Sequence, residues 1–437
     1  MYTLQRRRGM MTAAALTTAG VLALTACSSD GEADPGSSDD GGSSGEEVTL
    51  NFAFWGNDDR AARYDESIEL FMEEYPSITV NSTFLGYPEF WEKRQTEAAG
   101  GGLPDVMQFD YSYLRQYSEN GLLLDLGPYL GDAIDTAGYT DSILGIGVVD
   151  GTTTALPIST NAWGMYTNPA LLDSVGAEEF GGGSWDDYTA WMAEVAEASG
   201  GEVYGGSDYT GRIQNFEVQL RAEGKNLFNE DGTPGFDEAR LAEFWESGSA
   251  AREAGAISQQ ELEEIAPLSG FGAAKTASEL TWDNFGGGYL AELGESYSEL
   301  GLIAPPVHVE GAQDLYQKPS MLHAIAANSE HPEESAMLID WLVNSPEVGA
   351  IFGTTRGLPA SSTMRDGIAF EGIDEQIRAY EESIADRLGD APPVPLIGYG
   401  TLEEKFRVLG TELGFGTVSV DDAVSQFFAE MDVVLGS

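Results

Sequence analysis

Residues 48–84 constrain the fold more than any other stretch. Val48-Thr49-Leu50-Asn51-Phe52-Ala53-Phe54-Trp55 opens with the apolar–polar alternation of a strand. A polar turn follows over 56–60. Ile68, Leu70 and Phe71 then mark the inner face of a helix predicted over 61–74, and a second strand is expected at 79–84. Two strands joined through a helix must run parallel, with a right-handed crossover, and a parallel sheet needs cover on both faces. The chain therefore starts an α/β architecture whose ligand edge lies at the strand C-termini, where Trp55 sits.

The pattern continues with a helix at 88–99, stopped by Gly100, Gly101 and Gly102, a strand at 105–109, and a helix at 113–120. A strand-like stretch at 153–158 leads into Ser159-Thr160-Asn161-Ala162-Trp163-Gly164-Met165-Tyr166. Apolar residues at helical spacing predict helices at 185–197, 216–223, 237–254, 259–264, 332–344 and 346–352, with strands near 278–282, 301–304 and 320–327. The C-terminal helical region breaks around 391–400. No internal repeat is seen, and the length suffices for two sizeable cores.

The first 47 residues are read apart from the fold. Arg6, Arg7 and Arg8 precede an apolar or small run over 10–26, too short for a comfortable membrane span, which ends at Leu24-Thr25-Ala26-Cys27. Residues 28–47 are almost wholly Ser, Gly, Asp and Glu, a composition that cannot offset the entropy of ordering. With 73 acidic against 21 basic residues the net charge is −52, so nucleic acid and anionic lipid are poor partners. One cysteine and three dispersed histidines (His308, His323, His331) leave neither a disulfide framework nor a metal site, and no cofactor is expected.

Several short strings, in order, carry a family resemblance: Leu24-Thr25-Ala26-Cys27; Phe54-Trp55-Gly56; Leu103-Pro104-Asp105-Val106; Leu156-Pro157-Ile158 followed by Tyr166-Thr167-Asn168; Ser184-Trp185-Asp186-Asp187-Tyr188; Leu280-Thr281-Trp282-Asp283-Asn284; His331-Pro332-Glu333-Glu334; and Arg356-Gly357-Leu358-Pro359. The chain resembles the extracellular solute-binding lipoproteins of bacterial ABC sugar importers, in plan similar to maltose- and multiple-sugar-binding proteins. The resemblance implies a type II periplasmic-binding-protein fold, two α/β lobes joined by crossing hinge segments near 158–161, 319–321 and 358–361. The N-terminal lobe would hold 48–158 and 320–360, the C-terminal lobe 159–319 and 361–437. Residues 1–26 would be a lipoprotein signal peptide, cleaved before an acylated Cys27, and 27–47 a tether. The mature protein would be a monomer held on the outer face of the cell membrane by its lipid, binding a neutral sugar or oligosaccharide and docking on the transmembrane subunits of an ABC permease.

A sugar needs flat apolar surfaces for its C–H faces and planar hydrogen-bonding groups for its hydroxyls. Trp55, Tyr87, Tyr111, Trp163 and Trp282 are aromatics at predicted strand ends or loops, with Asn57, Asp58, Asp110, Asn161, Asp283, Asn284 and Arg356 beside them. In the resembled family the positions of Asp110-Tyr111, Asn161 and Trp282 face the cleft. Trp91, Trp185, Trp191, Trp245 and Trp341 are assigned to helix packing. The alternative is an exported glycoside hydrolase, but with 73 acidic residues a carboxylate pair at catalytic separation carries no information.

Replacing Cys27 with Ser should release soluble protein or leave an uncleaved precursor, read by membrane fractionation and mass spectrometry; an unmodified Cys27 on membrane-bound mature protein would refute the anchor. Five of the 21 basic residues are lysine, and self-repulsion at this charge is screened to about 3 Å in 1 M salt. Thermal melts should accordingly rise from dilute buffer to molar NaCl, and a flat curve would make the acidity incidental to stability.

Overall fold

A computed structural model describes residues 47–229, 231–294, 297 and 299–436. The leader, Cys27 and all but the last residue of the tether lie outside the described residues. Strand β1 (Val48–Trp55) runs into helix α1 (Asp58–Glu74), whose first turn is held by the Asn57 side chain accepting from the Arg60 amide at 3.0 Å. Strand β2 (Ile78–Leu85) returns parallel to β1, with Val48 opposite Ile78 and Trp55 opposite Leu85. Helix α2 (Tyr87–Gly100) ends at Gly101, whose φ of +69° is a left-handed cap that glycine takes without strain. Strand β3 (Val106–Phe109) joins the other side of β1, again parallel, and leads to helix α3 (Tyr111–Glu119). Strands β4 (Val148–Val149) and β5 (Thr152–Thr153) make a small separate hairpin.

Strand β6 (Leu156–Thr167) ties the molecule together. The sequence predicts a strand-like stretch at 153–158 leading into 159–166; the structure has one twelve-residue strand, buried at every position. Its first half pairs antiparallel with β9 (Gln317–Ile325), from Leu156 opposite His323 to Ala162 opposite Gln317. Its second half pairs with β7 (Ser278–Trp282) and β8 (Gly301–Ile303). Strand β10 (Leu358–Pro359) lies against Ser159 and Thr160, so the sheet runs β10-β6-β9-β3-β1-β2 with β7 and β8 continuing from β6. The register shifts twice between Pro157 and Thr160, where the three segments expected to cross between lobes lie side by side.

Apolar packing divides on either side of that point. One cluster gathers β1, β2, β3, the early helices and residues 321–364 around Phe52, Phe109 and Leu342. Met364 and Val394, from the stretch expected in the other lobe, pack into this first cluster as well. A second is built on Met165, Tyr188, Met192 and Leu315, and a third on Phe216, Trp245, Phe406 and Phe427. The helix expected over 237–254 is two, Glu238–Ser247 and Ser249–Ala254, parting at Gly248. A side chain there would press within 2.8 Å of Thr210, Arg252 and Asp208, so the glycine permits the close approach. Trp91, Trp185, Trp191 and Trp245 are all buried, and the half-buried Trp341 donates its indole N–H to the Ser67 carbonyl at 2.9 Å. Among the described residues no helix is long and apolar enough to cross a membrane.

Two carboxyls sit beneath the junction. Asp283, just after β7, accepts from the Ala162 amide of β6 at 2.9 Å, and Glu381, on the helix Ile373–Ser383, accepts from the Gln317 amide side chain of β9 at 2.7 Å. Both are at most 5% exposed, and burial holds them toward the protonated form: Glu381 is pushed up to about 7 against the lowering effects of Arg365 and of its hydrogen bonds with Asp283 and Gln317, and Asp283 is held well above its ordinary range by burial and by the neighbouring Glu381. Glu217 and Glu279 are raised by burial too. A carboxyl whose folded pKa is raised contributes stability fully below its unfolded value and loses it as pH rises through the folded one. The melting temperature should therefore fall from about pH 4.5 through 7, and Glu381→Gln, which keeps the Gln317 contact and removes the titration, should flatten that decline. An unchanged slope in thermal melts of the variant would show that the pair does not govern it.

Candidate functional site

The site assembles where β6 changes partners. Asn161 stands opposite Lys318 of β9, and Trp163 opposite Trp282 at the end of β7, so two residues of one strand bring Lys318 and Trp282 together. The Lys318 ammonium lies 5.2 Å from the centre of the Trp282 ring, a cation–π contact, and Tyr316 meets the same ring edge-on at 5.9 Å. From the side of the first apolar cluster come the strand-end Trp55 and Asp110. Trp55 is held by edge contacts to Tyr87 and Phe90 at 5.5 and 5.4 Å, while Asp110 spends its carboxylate on the first turn of α3, accepting from the Ser112 amide at 2.8 Å.

Six of the twelve residues expected to touch ligand, Trp55, Asp110, Asn161, Trp282, Asn284 and Arg356, line one cavity of about 480 Å³. Tyr111 and Trp282 line a second, narrower one of about 70 Å³ that shares Trp282 and Lys318 with the first. It is closed on one side by residues 392–396; Tyr111 donates to the Pro392 carbonyl at 3.4 Å and Arg115 to that of Val394 at 3.0 Å.

The remaining five lie outside both cavities. Trp163 is 1% exposed and donates its indole N–H to Asn215 at 2.8 Å; it supports Trp282 edge-on, at 5.1 Å, from within the core. The Asp283 carboxylate is turned inward onto β6, because an unpaired amide at that sheet junction would otherwise be left buried. Asn57 is committed to capping α1, and Asp58 stands exposed in the same first turn. Tyr87 is 41% exposed and acts as a wall for Trp55. Lys318, Arg60, Thr354 and Thr355 line the larger cavity and escaped the sequence reading. A lysine in a lysine-poor chain, placed just before Pro319 at an expected crossing, was the available signal.

The electrostatics of the larger cavity run against those of the chain. Arg356 is 4% exposed; its guanidinium carbon lies 3.6 Å from the centre of the Phe352 ring, one terminal nitrogen donates to Tyr64 at 3.1 Å, and the other has no partner. Burial lowers its pKa, and the nearby Arg60 lowers it further. Asn161, 7% exposed, keeps its side-chain oxygen unpartnered too. His323 is fully buried next to Arg356 and is held neutral, its pKa pushed well down by desolvation. In the narrower cavity, burial raises Glu217, whose carboxylate accepts from Tyr316 at 2.5 Å.

A cleft of this kind, with an aromatic platform and polar groups drawn from two lobes, suits capture of a small polar molecule. Comparison with known proteins agrees. A binding protein of Brucella abortus is 27% identical over 175 residues, 39% of this chain, and the match spans only 42% of that relative's length. The solved extracellular solute-binding protein family 1 member from Alicyclobacillus acidocaldarius superposes with a TM-score of 0.76 at 24% identity, covering 90% of this chain and 99% of its own. A periplasmic oligogalacturonide-binding protein from Yersinia enterocolitica superposes equally well, TM-score 0.76 at 22% identity, over 89% and 99% of the two chains. Both share the fold of two α/β lobes joined through crossing strands. With residues 56–348 matching the profile of the bacterial extracellular solute-binding protein family, the chain belongs to that family.

Proposed function

We propose that this protein is the substrate-binding lipoprotein of an ABC importer, that it captures a sugar or oligosaccharide between its lobes, and that it hands the ligand to a membrane permease. The observation that carries the reading is the half-buried Trp282, presented at the edge of a cavity whose walls come from β1, α3, β6, β9 and the turn before β10. An aromatic face covers the C–H side of a pyranose ring, and Asn161, Asn284 and Asp110 offer donors and acceptors for hydroxyls. The Yersinia neighbour, an oligogalacturonide-binding protein by name, supports a saccharide. The carboxyl pair Asp283 and Glu381 is buried below the cleft and lines neither cavity, so it offers no acid and base to a glycosidic bond.

Capture would proceed by hinge closure. A ligand favours the closed arrangement only by the contacts it makes there in excess of those in the open one. The hinge would be the stretch of β6, β9 and β10 where the register shifts, because the apolar clusters part there. Cys27 would carry the lipid that keeps the protein beside its permease.

Trp282→Ala should weaken saccharide binding by roughly 2–4 kcal/mol, the scale of an interface hot spot. Asn161→Ala and Asp110→Ala should lose less, since a neutral hydrogen bond nets about 0.5–1.5 kcal/mol. Trp163→Ala, as control, should lower the melting temperature more than Trp282→Ala does. Calorimetry with a saccharide panel decides it: wild-type affinity in Trp282→Ala removes the platform from the site, and consumption of the sugar would make the protein an enzyme.

A further inference from the structure

In a chain of net charge −52, the cavities of the cleft collect cations. Arg60, Lys318 and Arg356 line the larger one, against a single carboxylate, Asp110, that is already engaged at α3. A third cavity, of about 590 Å³, adjoins the narrow one through Asn226, Pro392, Pro393 and Val394, and there Arg115, Arg221 and Lys225 stand with Asp150 and Asp390. Six of the 21 basic residues thus lie along one connected track.

Four of the six have no counter-ion: Arg221, which donates to the Asp390 carbonyl, and all three cations of the larger cavity. Among the described residues no carboxylate lies within 4.0 Å of Arg60, Lys318 or Arg356, whereas Arg115, Arg212, Arg240, Arg252, Arg378, Arg387 and Arg407 are all ion-paired. Arg60 uses one nitrogen on the Trp55 carbonyl at 3.1 Å, Arg356 is buried with a nitrogen unpartnered, and Lys318 is exposed over Trp282. An unpaired guanidinium in a low-dielectric setting is costly, and its field is felt more strongly than it would be in water. Three cations against one engaged carboxylate, beside the aromatic platform, leave the larger cavity with an excess of positive charge that an anionic ligand would balance.

We propose that the ligand is an acidic saccharide, a sugar or short oligosaccharide bearing carboxylates, with Lys318 contacting a carboxylate beside the ring stacked on Trp282 while Arg356 and Arg60 supply positive field from beneath. The inference rests on the saccharide reading above and replaces the neutral ligand expected from sequence. Lys318 is placed for the contact by its register opposite Asn161, and its flexible stem lets the ammonium follow the ligand as the lobes close. Asp110 in the larger cavity and Glu217 and Glu403 in the narrow one are the carboxylates facing this region. Glu217 is buried, bonded to Tyr316 and pushed toward its protonated form, which weakens its repulsion of an anion.

The test is calorimetry on the purified protein with digalacturonate and dimannuronate, each as free acid and as methyl ester, alongside maltotriose and cellotriose. At least one free acid should bind, its ester at least tenfold more weakly. Lys318→Gln, a change at an exposed side chain, should cost the free acid tenfold or more and the ester less than threefold. Arg356→Gln should also cost the acid more than the ester, with thermal melts reporting any loss of folding. Esters binding as well as acids, or neutral trisaccharides binding where both acids fail, would overturn the acidic ligand and leave the saccharide reading standing. Acid binding indifferent to Lys318→Gln would overturn the placement, and failure of every saccharide would overturn both readings.

Discussion

Everything in this molecule hangs on one strand passing through two environments. β6 is buried along all twelve residues because it is a central strand for both lobes, paired with β9 and β10 at its start and with β7 and β8 at its end. Backbone groups buried to this depth must find partners, which the neighbouring strands supply, and where the register slips side chains take over. Ser159 and Ser320 both donate to the Arg356 carbonyl, and Asp283 accepts from the Ala162 amide. The slip therefore costs few hydrogen bonds while interrupting the apolar packing, and separate cores on its two sides are what relative motion of two lobes requires.

The same strand sets the site. Side chains alternate across a strand, so Trp163 and Asn161 fall on one side, and each meets a residue from a different partner strand. Trp163 becomes the buried support and Trp282 the platform, a division of labour between two tryptophans that stand opposite each other in register. Placing Lys318 over that platform puts a cation at the cleft in a chain whose other surfaces are overwhelmingly acidic.

Much of the fold was legible because its signals are local. The alternation through Val48–Trp55, the helix Pro332–Asn344 and the strand Ser278–Trp282 depend on spacing and flanking residues, and each lies where spacing placed it, within a residue or two. β6 was read only in part, since a strand buried on both faces does not alternate and Ser159-Thr160-Asn161 look like a turn by composition. The helical register over 237–254 gave no warning of the break at Gly248, which is imposed by the approach of Thr210 and Asp208.

By itself the sequence determined the α/β class and the family, because turn chemistry, hydrophobic period and ordered motifs are written in nearest-neighbour terms; of the twelve residues it put at a ligand, six line the larger cavity. Only the tertiary structure decided which way each polar or aromatic side chain faces. Asp283 and Asn284 are adjacent in sequence, yet one is turned into the sheet junction and the other into the cleft. Arg60, Lys318 and Arg356 are separated by up to 296 positions and share a cavity only because β1, β9 and β10 belong to one sheet. Charge density around a ligand is a property of that convergence, so no reading of composition, which registers only the excess of acid, could have found it.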